Sequence, residues 1–463
     1  MKDINQEHPD YRARKGMWRK YRHLYAGGEE MRAHASEYLT TRQKEPAAVY
    51  QERLDRAFYE NYAGSIVDWY ASTLFRREPV LVLEGSNERA RGFFNELTDD
   101  CDLKGTSLSD FFRRRLVETL VAGVSYVVVE FPRGGGLYRS RAEEEAEGAS
   151  RAFLTHYDAE ELINWSTDES GNFDWVVFRT ERLQSPGPGA EGHVVEKRWL
   201  YYDRETYRLY RQIGEKGERE LTAEGMHGLA KLGRVPVFET RVSEGLWLMN
   251  KAALLQLEHF NKSNALSWAL TMGLFAMPVV YSERTFNQIM GESYYIQLAP
   301  NDKFGWAEPT GNVFQVAVEN LGRLKDEIYR VCYLMTQAGG QLASGASQSG
   351  LSKQRDFAIT QEVLRAYGDA VKDTMKRVLR AVEAAREDGL SIDVSGLDEF
   401  DIGDFSGELE DAERLLTLGI GSETLRKQIF KKLAFKYLCD IRQDVKDRIA
   451  KEIEAWCDKT EKQ

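Results

Sequence analysis

The chain has 463 residues, 42% hydrophobic and 30% charged, with a formal net charge of −11. That is enough chain for two or more domains with substantial cores, and the balance excludes a disordered polypeptide. The acidity argues against a conventional DNA binder, which covers phosphates with a basic surface. No apolar run reaches the roughly 18 residues of a membrane span. The opening Met1 to Asp10 is polar and lacks a signal-peptide core, so cytoplasmic synthesis is expected.

Residues 8 to 80 read as helical and charged. In "YRARKGMWRKYRHLY", Trp18, Tyr21 and Tyr25 recur at helical spacing between basic residues. This is either a packing stripe edged by Arg and Lys stems or an aromatic–basic nucleic-acid surface, and packing is the simpler reading. A second helix is expected over "LDRAFYENYAGSIVDWYASTLFRREP", with Leu54, Phe58, Tyr62, Ile66, Trp69 and Tyr70 inward and a stop near Pro79. Helix continues across 89 to 122, where Ser107 and Asp110 form a capping signal and Gly123 closes the run. Val127 to Val129 predict a strand, followed by a turn at Pro132 and Gly134 to Gly136. The charged stretch after it reads as an exposed excursion.

Short strands then follow at "LINWS", "FDWVVFRTERL", "VVEKRWLYYD", "TYRLYRQI" and "RVPVFETR", which is antiparallel or α+β patterning rather than regular βαβ. Leu246 to Gly273 is helical and apolar nearly all round, through Trp247, Leu248, Ala252, Leu255 and Phe260, so it packs on more than one side. Residues 274 to 315 are short strands and turns, and helix resumes from near Phe314 to Gln337. The bare segment "QAGGQLASGASQSGLSKQRDF" comes next. From about Lys353 to Arg386 a long helix carries Leu364, Tyr367, Val371, Met375, Val378 and Val382 as one stripe. "GLSIDVSGLDEFDIGDF" reads as an acidic, turn-rich connection to a last helical region over 406 to 460.

No constellation reaches the level of an enzyme. Cys101, Cys332, Cys439 and Cys457 have no metal spacing and read as buried thiols of a reducing compartment. His8, His23, His34, His156, His193, His227 and His259 are equally scattered. Gly187, Gly189 and Gly192 match GxGxxG, but the chain continues into another strand, so a hairpin turn is expected. Ser125 has no nucleophile-elbow context. The serines Ser344, Ser347, Ser349 and Ser352 beside Lys353 lack the rigid seat a Ser–Lys dyad requires. Asp398, Glu399, Asp401, Asp404, Glu408 and Glu410 are contiguous, which suits a solvated loop better than a two-metal centre.

Taken in order, "HPDYRARKGMWRKYRHLYAG", "RAFYENYAGSIVDWYASTLFRREP", "AGVSYVVVEFP" and "DVSGLDEFDIGDF" make the chain resemble the portal proteins of tailed double-stranded DNA bacteriophages over nearly its whole length. The resemblance implies an α+β, portal-like fold. Its parts would be a helical and β-containing wing over 1–245, stem helices over 246–273 and 316–337, and a small α/β clip over 274–315. A tunnel loop over 338–352, a long post-loop helix returning to the wing over 353–405 and a helical crown region over 406–463 would complete it. The function implied is a ring at one capsid vertex, typically of twelve copies. Such a ring conducts double-stranded DNA during packaging and ejection and docks terminase and head–tail connector proteins. The implied partners are other copies, DNA in the channel, the terminase large subunit, a major capsid or scaffold protein and a connector. No cofactor, metal or membrane is implied, and ATP hydrolysis and DNA cutting belong to separate terminase subunits. The implied location is the virion portal vertex, after assembly in the host cytoplasm. The resemblance does not distinguish a virion portal from that of a domesticated prophage or gene-transfer particle.

The candidate tunnel-loop residues are Gly339, Gly340, Gln341, Leu342, Ala343, Ser344, Gly345, Ala346, Ser347, Gln348, Ser349 and Gly350. No Lys or Arg lies between Gly339 and Ser352, so such a loop would act on DNA by shape rather than by clamping phosphates. Lys251, Lys262, Arg323, Lys325 and Arg330 are stem candidates for weak DNA contacts. Alternatively they pair with Glu258, Glu319, Asp326 and Glu327 between neighbouring subunits. Tyr294, Tyr295 and Trp306 are candidate clip-interface aromatics. Two other classes stay open: an adaptor or scaffold that never encloses DNA, and a metal-dependent DNA-processing enzyme using the 398–410 acids.

Overall fold

Ser107 and Gly123 bracket α7 (Leu108–Ala122) as the capping signals predict. The Ser107 hydroxyl accepts the Asp110 amide at 3.1 Å. Gly123 adopts φ 84°, and its own amide closes on Thr119 O at 2.8 Å. A side chain there would press on the Trp247 indole at 3.0 Å, so both conformation and space call for glycine. This turn sends the chain back as the buried strand β2 (Val124–Glu130), under the helix it has just left.

The computed structural model describes residues 3–132, 151–185, 192–214, 217–274, 277–282, 298, 300–307, 311–334, 350–397, 405–418, 422–438 and 443–460. The chain divides into two units, one of residues 1–22, 66–250 and 357–463 and the other of 23–65 and 251–356.

In the first unit β2 lies between β3 (Phe153–Tyr157) and β9 (Val237–Arg241) in a three-stranded antiparallel sheet. Strands β4 (Leu162–Thr167), β5 (Phe173–Gln184), β6 (Val194–Asp203), β7 (Thr206–Ile213) and β8 (Glu220–Met226) form an antiparallel meander in chain order. Tyr157 stacks on Phe178 with ring centroids 4.1 Å apart, joining the two sheets. Gln184 pairs with Val194, so the GxGxxG match falls in a β-hairpin connection as its polar lead implies.

The long helix α10 (Gly350–Arg386) buries Leu364, Tyr367, Val371, Met375, Val378 and Val382 completely. Each contributes about 1.5–3 kcal/mol of burial. The Tyr367 hydroxyl donates to Leu246 O at 2.6 Å and its ring meets Tyr70 edge-on. Helix α1 (Pro9–Ala26) turns Trp18 and Tyr21 into the core, where Trp18 donates to Ala122 O at 2.9 Å. Its aromatic stripe is packing, not an exposed nucleic-acid surface. The unit also holds α6 (Glu88–Asp99), α11 (Phe405–Thr417), α12 (Glu423–Tyr437) and α13 (Gln443–Thr460).

Two elements depart from the sequence reading. Residues 391–395 form a strand, β12 (Ser391–Ser395), where a turn-rich connection was expected, and it pairs with β1 (Val80–Glu84). Both strands alternate buried and exposed residues, with Leu81, Leu83, Ile392 and Val394 inward. The second departure is the helix expected over 54–79, which is broken. Helix α4 (Ala47–Asp55) ends before Phe58, and α5 (Tyr62–Leu74) begins at Tyr62. The expected apolar face therefore splits: Ile66 and Tyr70 are buried, whereas Phe58 is exposed.

The reason for the break lies within the second unit. It contains the short helices α2 (Gly28–Ala33) and α3 (Ala35–Tyr38), helix α4, most of α8 (Leu248–Leu274) and α9 (Gly311–Val331). Strands β10 (Met277–Tyr281) and β11 (Lys303–Ala307) pair antiparallel between α8 and α9. No helix occurs between those strands among the described residues. Side chains of α8 capture main-chain groups of residues 58–60, and the amide of Ala63 in the first turn of α5.

Candidate functional site

Helix α8 buries two polar side chains eight residues apart, Gln256 and Asn264, on one face with Phe260 between them. A buried amide must find partners, and here the partners are main-chain groups between α4 and α5. Asn264 accepts the Phe58 amide at 3.1 Å and donates to Phe58 O at 2.9 Å. Gln256 donates to Glu60 O at 2.8 Å and accepts the Ala63 amide at 3.1 Å. Asn61 closes the arrangement by donating to Tyr25 O at 2.8 Å and accepting the Gly64 amide at 2.9 Å. Nearby, Asn261 accepts the Thr40 amide and donates to Tyr38 O. Together they position α8 by hydrogen bonds as well as by apolar contact.

Helix α9 presents Leu324 and Ile328 inward, and Cys332, just past its end, is buried too. Burial pushes the Cys332 thiol up to about 12, so it is a packing group rather than a nucleophile. Val313, Val316 and Val318 remain exposed on the same helix, as does Leu254 on α8. The helix stops at Val331, short of the expected Gln337. Tyr333 adopts a left-handed φ of 62°, and the Leu334 amide folds back to Tyr329 O at 2.9 Å.

The five candidate cations of α8 and α9 differ in their surroundings. Lys251 donates to the Tyr333 hydroxyl at 2.6 Å and lies 4.2 Å from that ring's centroid. Lys262 pairs with Glu258 at 2.9 Å and reaches Asn320 at 3.0 Å. Lys325 lies over the Tyr62 ring. Arg330 makes a two-pronged pair with Glu327, one turn back on the same helix. Glu327 is held below its usual range, first by its bond from Arg330 and then by the charges of Arg330 and Arg323. Arg323 is exposed. Lys262 and Arg330 thus each pair with an acid of their own helix.

Of the other expected site residues, Gly339 to Ser349, Tyr294 and Tyr295 lie outside the described residues, and Gly350 opens α10 rather than sitting in a loop. Trp306 belongs to β11, paired with Pro278. Asp398, Glu399, Asp401 and Asp404 also lie outside the described residues, and Glu410 is an exposed residue of α11.

Two side-chain clusters were not visible in the sequence. His23 and His34 stack with centroids 3.9 Å apart and planes 7° from parallel, and Glu37 meets His34 Nδ1 at 3.0 Å. Nearly parallel rings place their nitrogen lone pairs in separate planes, so one ion cannot lie in both, and the trio is a poor metal seat as arranged. In the first unit, Arg22 binds Glu118 at 3.0 Å, Asp158 at 3.3 Å and Glu160 at 2.9 Å, while Arg115 binds Asp158 at 3.0 Å. Burial, with the Asp158 charge, raises Glu118 to about 7 despite Arg22. Burial also raises Glu161 to about 7 and lowers His156 to about 4. Ser125 is buried and donates to Arg115 O at 3.0 Å, a core hydrogen bond rather than a nucleophile's setting.

A family described as a domain of unknown function, DUF4055, matches residues 249–382, from the start of α8 to near the end of α10. No curated protein matches the chain. Among solved structures, the chain is similar to one titled as the neck of an empty GTA particle computed with C6 symmetry, at 14% identity and a TM-score of 0.41. That match covers 80% of this chain and 90% of the other. A chain from the virion of a native gene transfer agent particle aligns at 13% identity and 0.41, covering 85% and 96%. A chain from the neck of a native GTA particle computed with C12 symmetry aligns at 13% and 0.43, covering 86% and 98%.

Proposed function

We propose that the chain is a portal protein, a non-catalytic ring subunit at a capsid vertex that conducts double-stranded DNA. The observation that carries this reading is the order of parts in the second half. Two long helices, α8 and α9, flank a β-hairpin, then a glycine- and serine-rich segment without basic residues leads into a helix of 37 residues. In this reading α8 and α9 are the stem and the β10–β11 hairpin is part of the clip. Residues 338–349, which precede α10, are the tunnel loop, and docking of terminase and connector falls to the clip.

The physical chemistry agrees with a conduit. DNA that must slide needs weak contacts, and the exposed pairs of Lys262 and Arg330 are solvent-screened and weak. Such cations exchange a carboxylate for a passing phosphate at little cost. The exposed valines of α9 would be covered by neighbouring copies.

Electron cryomicroscopy of the purified protein tests the proposal. The expected result is a closed ring, typically of twelve copies, with an axial passage wide enough for a duplex and narrowed by residues 338–349. A closed oligomer with no axial passage would overturn the conduit and favour a virion adaptor.

A further inference from the structure

We propose a second binding surface, in the first unit, for a partner-protein segment that alternates apolar and acidic residues. A groove of about 810 Å³ runs between β1 and helices α12 and α13. This is the scale of a ligand site rather than of a surface dimple. Its lining includes seven basic and three acidic side chains, a local excess of positive charge in a chain whose formal net charge is −11.

The cations and the apolar groups come from different elements. Val80 and Val82 of β1 and Phe435 of α12 supply apolar surface, while Arg77, Arg365 of α10 and Lys451 of α13 supply charge. Val82 is 39% exposed in the middle of its strand. Arg365 and Lys451 engage Glu362 at 2.8 Å and Glu88 at 3.1 Å through side chains more than half exposed, pairs that a competing carboxylate can replace.

Charge and polarity together select the occupant. Nucleic acid brings phosphates but leaves the valines and the phenylalanine uncovered. A uniformly acidic peptide has the same defect. An extended segment with period-two alternation presents apolar side chains to one side and carboxylates to the other. All five residues of β1 line the groove, so an extended segment of similar length can lie along it. The inference does not depend on the portal reading.

Fluorescence anisotropy with the full chain tests it. The probe is a labelled ten-residue peptide alternating aspartate and valine. The comparisons are an all-aspartate decapeptide and a labelled single-stranded DNA oligonucleotide. Saturable binding of the alternating peptide, at least tenfold tighter than either comparison, is expected. Val82→Asp, and separately the double variant Arg365→Gln with Lys451→Gln, should each weaken it at least tenfold at unchanged melting temperature. The double variant changes exposed side chains only, so it reports even where Val82→Asp fails to fold. No saturable binding, equal binding of the all-aspartate peptide, or tighter binding of DNA would overturn the proposal. Sedimentation of the peptide-free variants adds one more arm: loss of an oligomer present in the parent would assign the groove to contacts between copies and also overturn it.

Discussion

Asn264 treats Phe58 as a neighbouring strand would, accepting its amide at 3.1 Å and donating to its carbonyl at 2.9 Å. One side chain thus satisfies both main-chain groups at the point where α4 has ended and α5 has not begun. Asn264→Leu keeps the volume and removes both bonds, leaving a half-buried donor and acceptor unpaired. The expected loss is about 2–4 kcal/mol, since each orphaned group costs about 1–3 kcal/mol. Asn264→Asp keeps the acceptor and should lose less at low pH, where the protonated acid can still donate. Chemical denaturation of both variants measures the difference.

Gly368 sits in the middle of α10, where a β-carbon would stand 2.1 Å from Leu397 O. Alanine normally strengthens a helix by about 1 kcal/mol over glycine. Here the carbonyl is backbone and cannot rotate away, so Gly368→Ala should destabilise instead, by about 1–3 kcal/mol. Gly322 of α9 has open space around it, and Gly322→Ala is the matched control, expected to be neutral or stabilising. Thermal melts of the two variants should shift in opposite directions.

Helices with one clean buried stripe were legible in the sequence. The Leu364-to-Val382 set announces α10 because its period matches the helix and every member is buried. Ser107 and Gly123 announced their caps for equally local reasons. The break at residues 56–61 was not legible, because Gln256 and Asn264, which hold it open, lie about two hundred residues away in the sequence. Their own spacing was the available signal: two amides eight residues apart, with Phe260 midway between them, on one helical face. β1 and β12 were missed because each is five residues long and draws its pairing from a partner far along the chain. The candidate stem cations were legible as residues but not as contacts, since Lys251 spends its charge on Tyr333.

The acids beneath Arg22 and Arg115 give the first unit a pH dependence of definite sign. Glu161 is raised from 4.5 to about 7 by burial, so the folded state holds a proton that the unfolded state has released. Its stabilisation is complete below pH 4.5 and is lost as pH rises through about 7. His156, lowered from 6.5 to about 4 by burial, acts oppositely and loses stability as pH falls through that window. Comparing parent with Glu161→Gln cancels the histidine. The glutamine retains an acceptor for the Asp158 amide, which Glu161 binds at 2.7 Å. Relative to parent, the variant should gain on the order of 2 kcal/mol between pH 5.5 and 8. A pH-independent difference would show that Glu161 is already ionised in the folded protein.

The segment from Gly339 to Ser349 supplies the last prediction, which rests on the portal reading. It has no basic residue, so any grip on DNA must be steric. Deleting it should leave translocation intact and impair retention, giving particles that fill and then lose nuclease-protected DNA. Replacing Ser344 and Ser347 by lysine should act the other way, because each added cation contacts phosphate and releases counterions. Packaging by that variant should slow at low salt and recover as salt is raised, whereas the deletion should be indifferent to salt. Protected DNA length, followed against time and ionic strength, separates the two. Full retention by the deletion variant would remove the valve role from this segment while leaving the ring itself untouched.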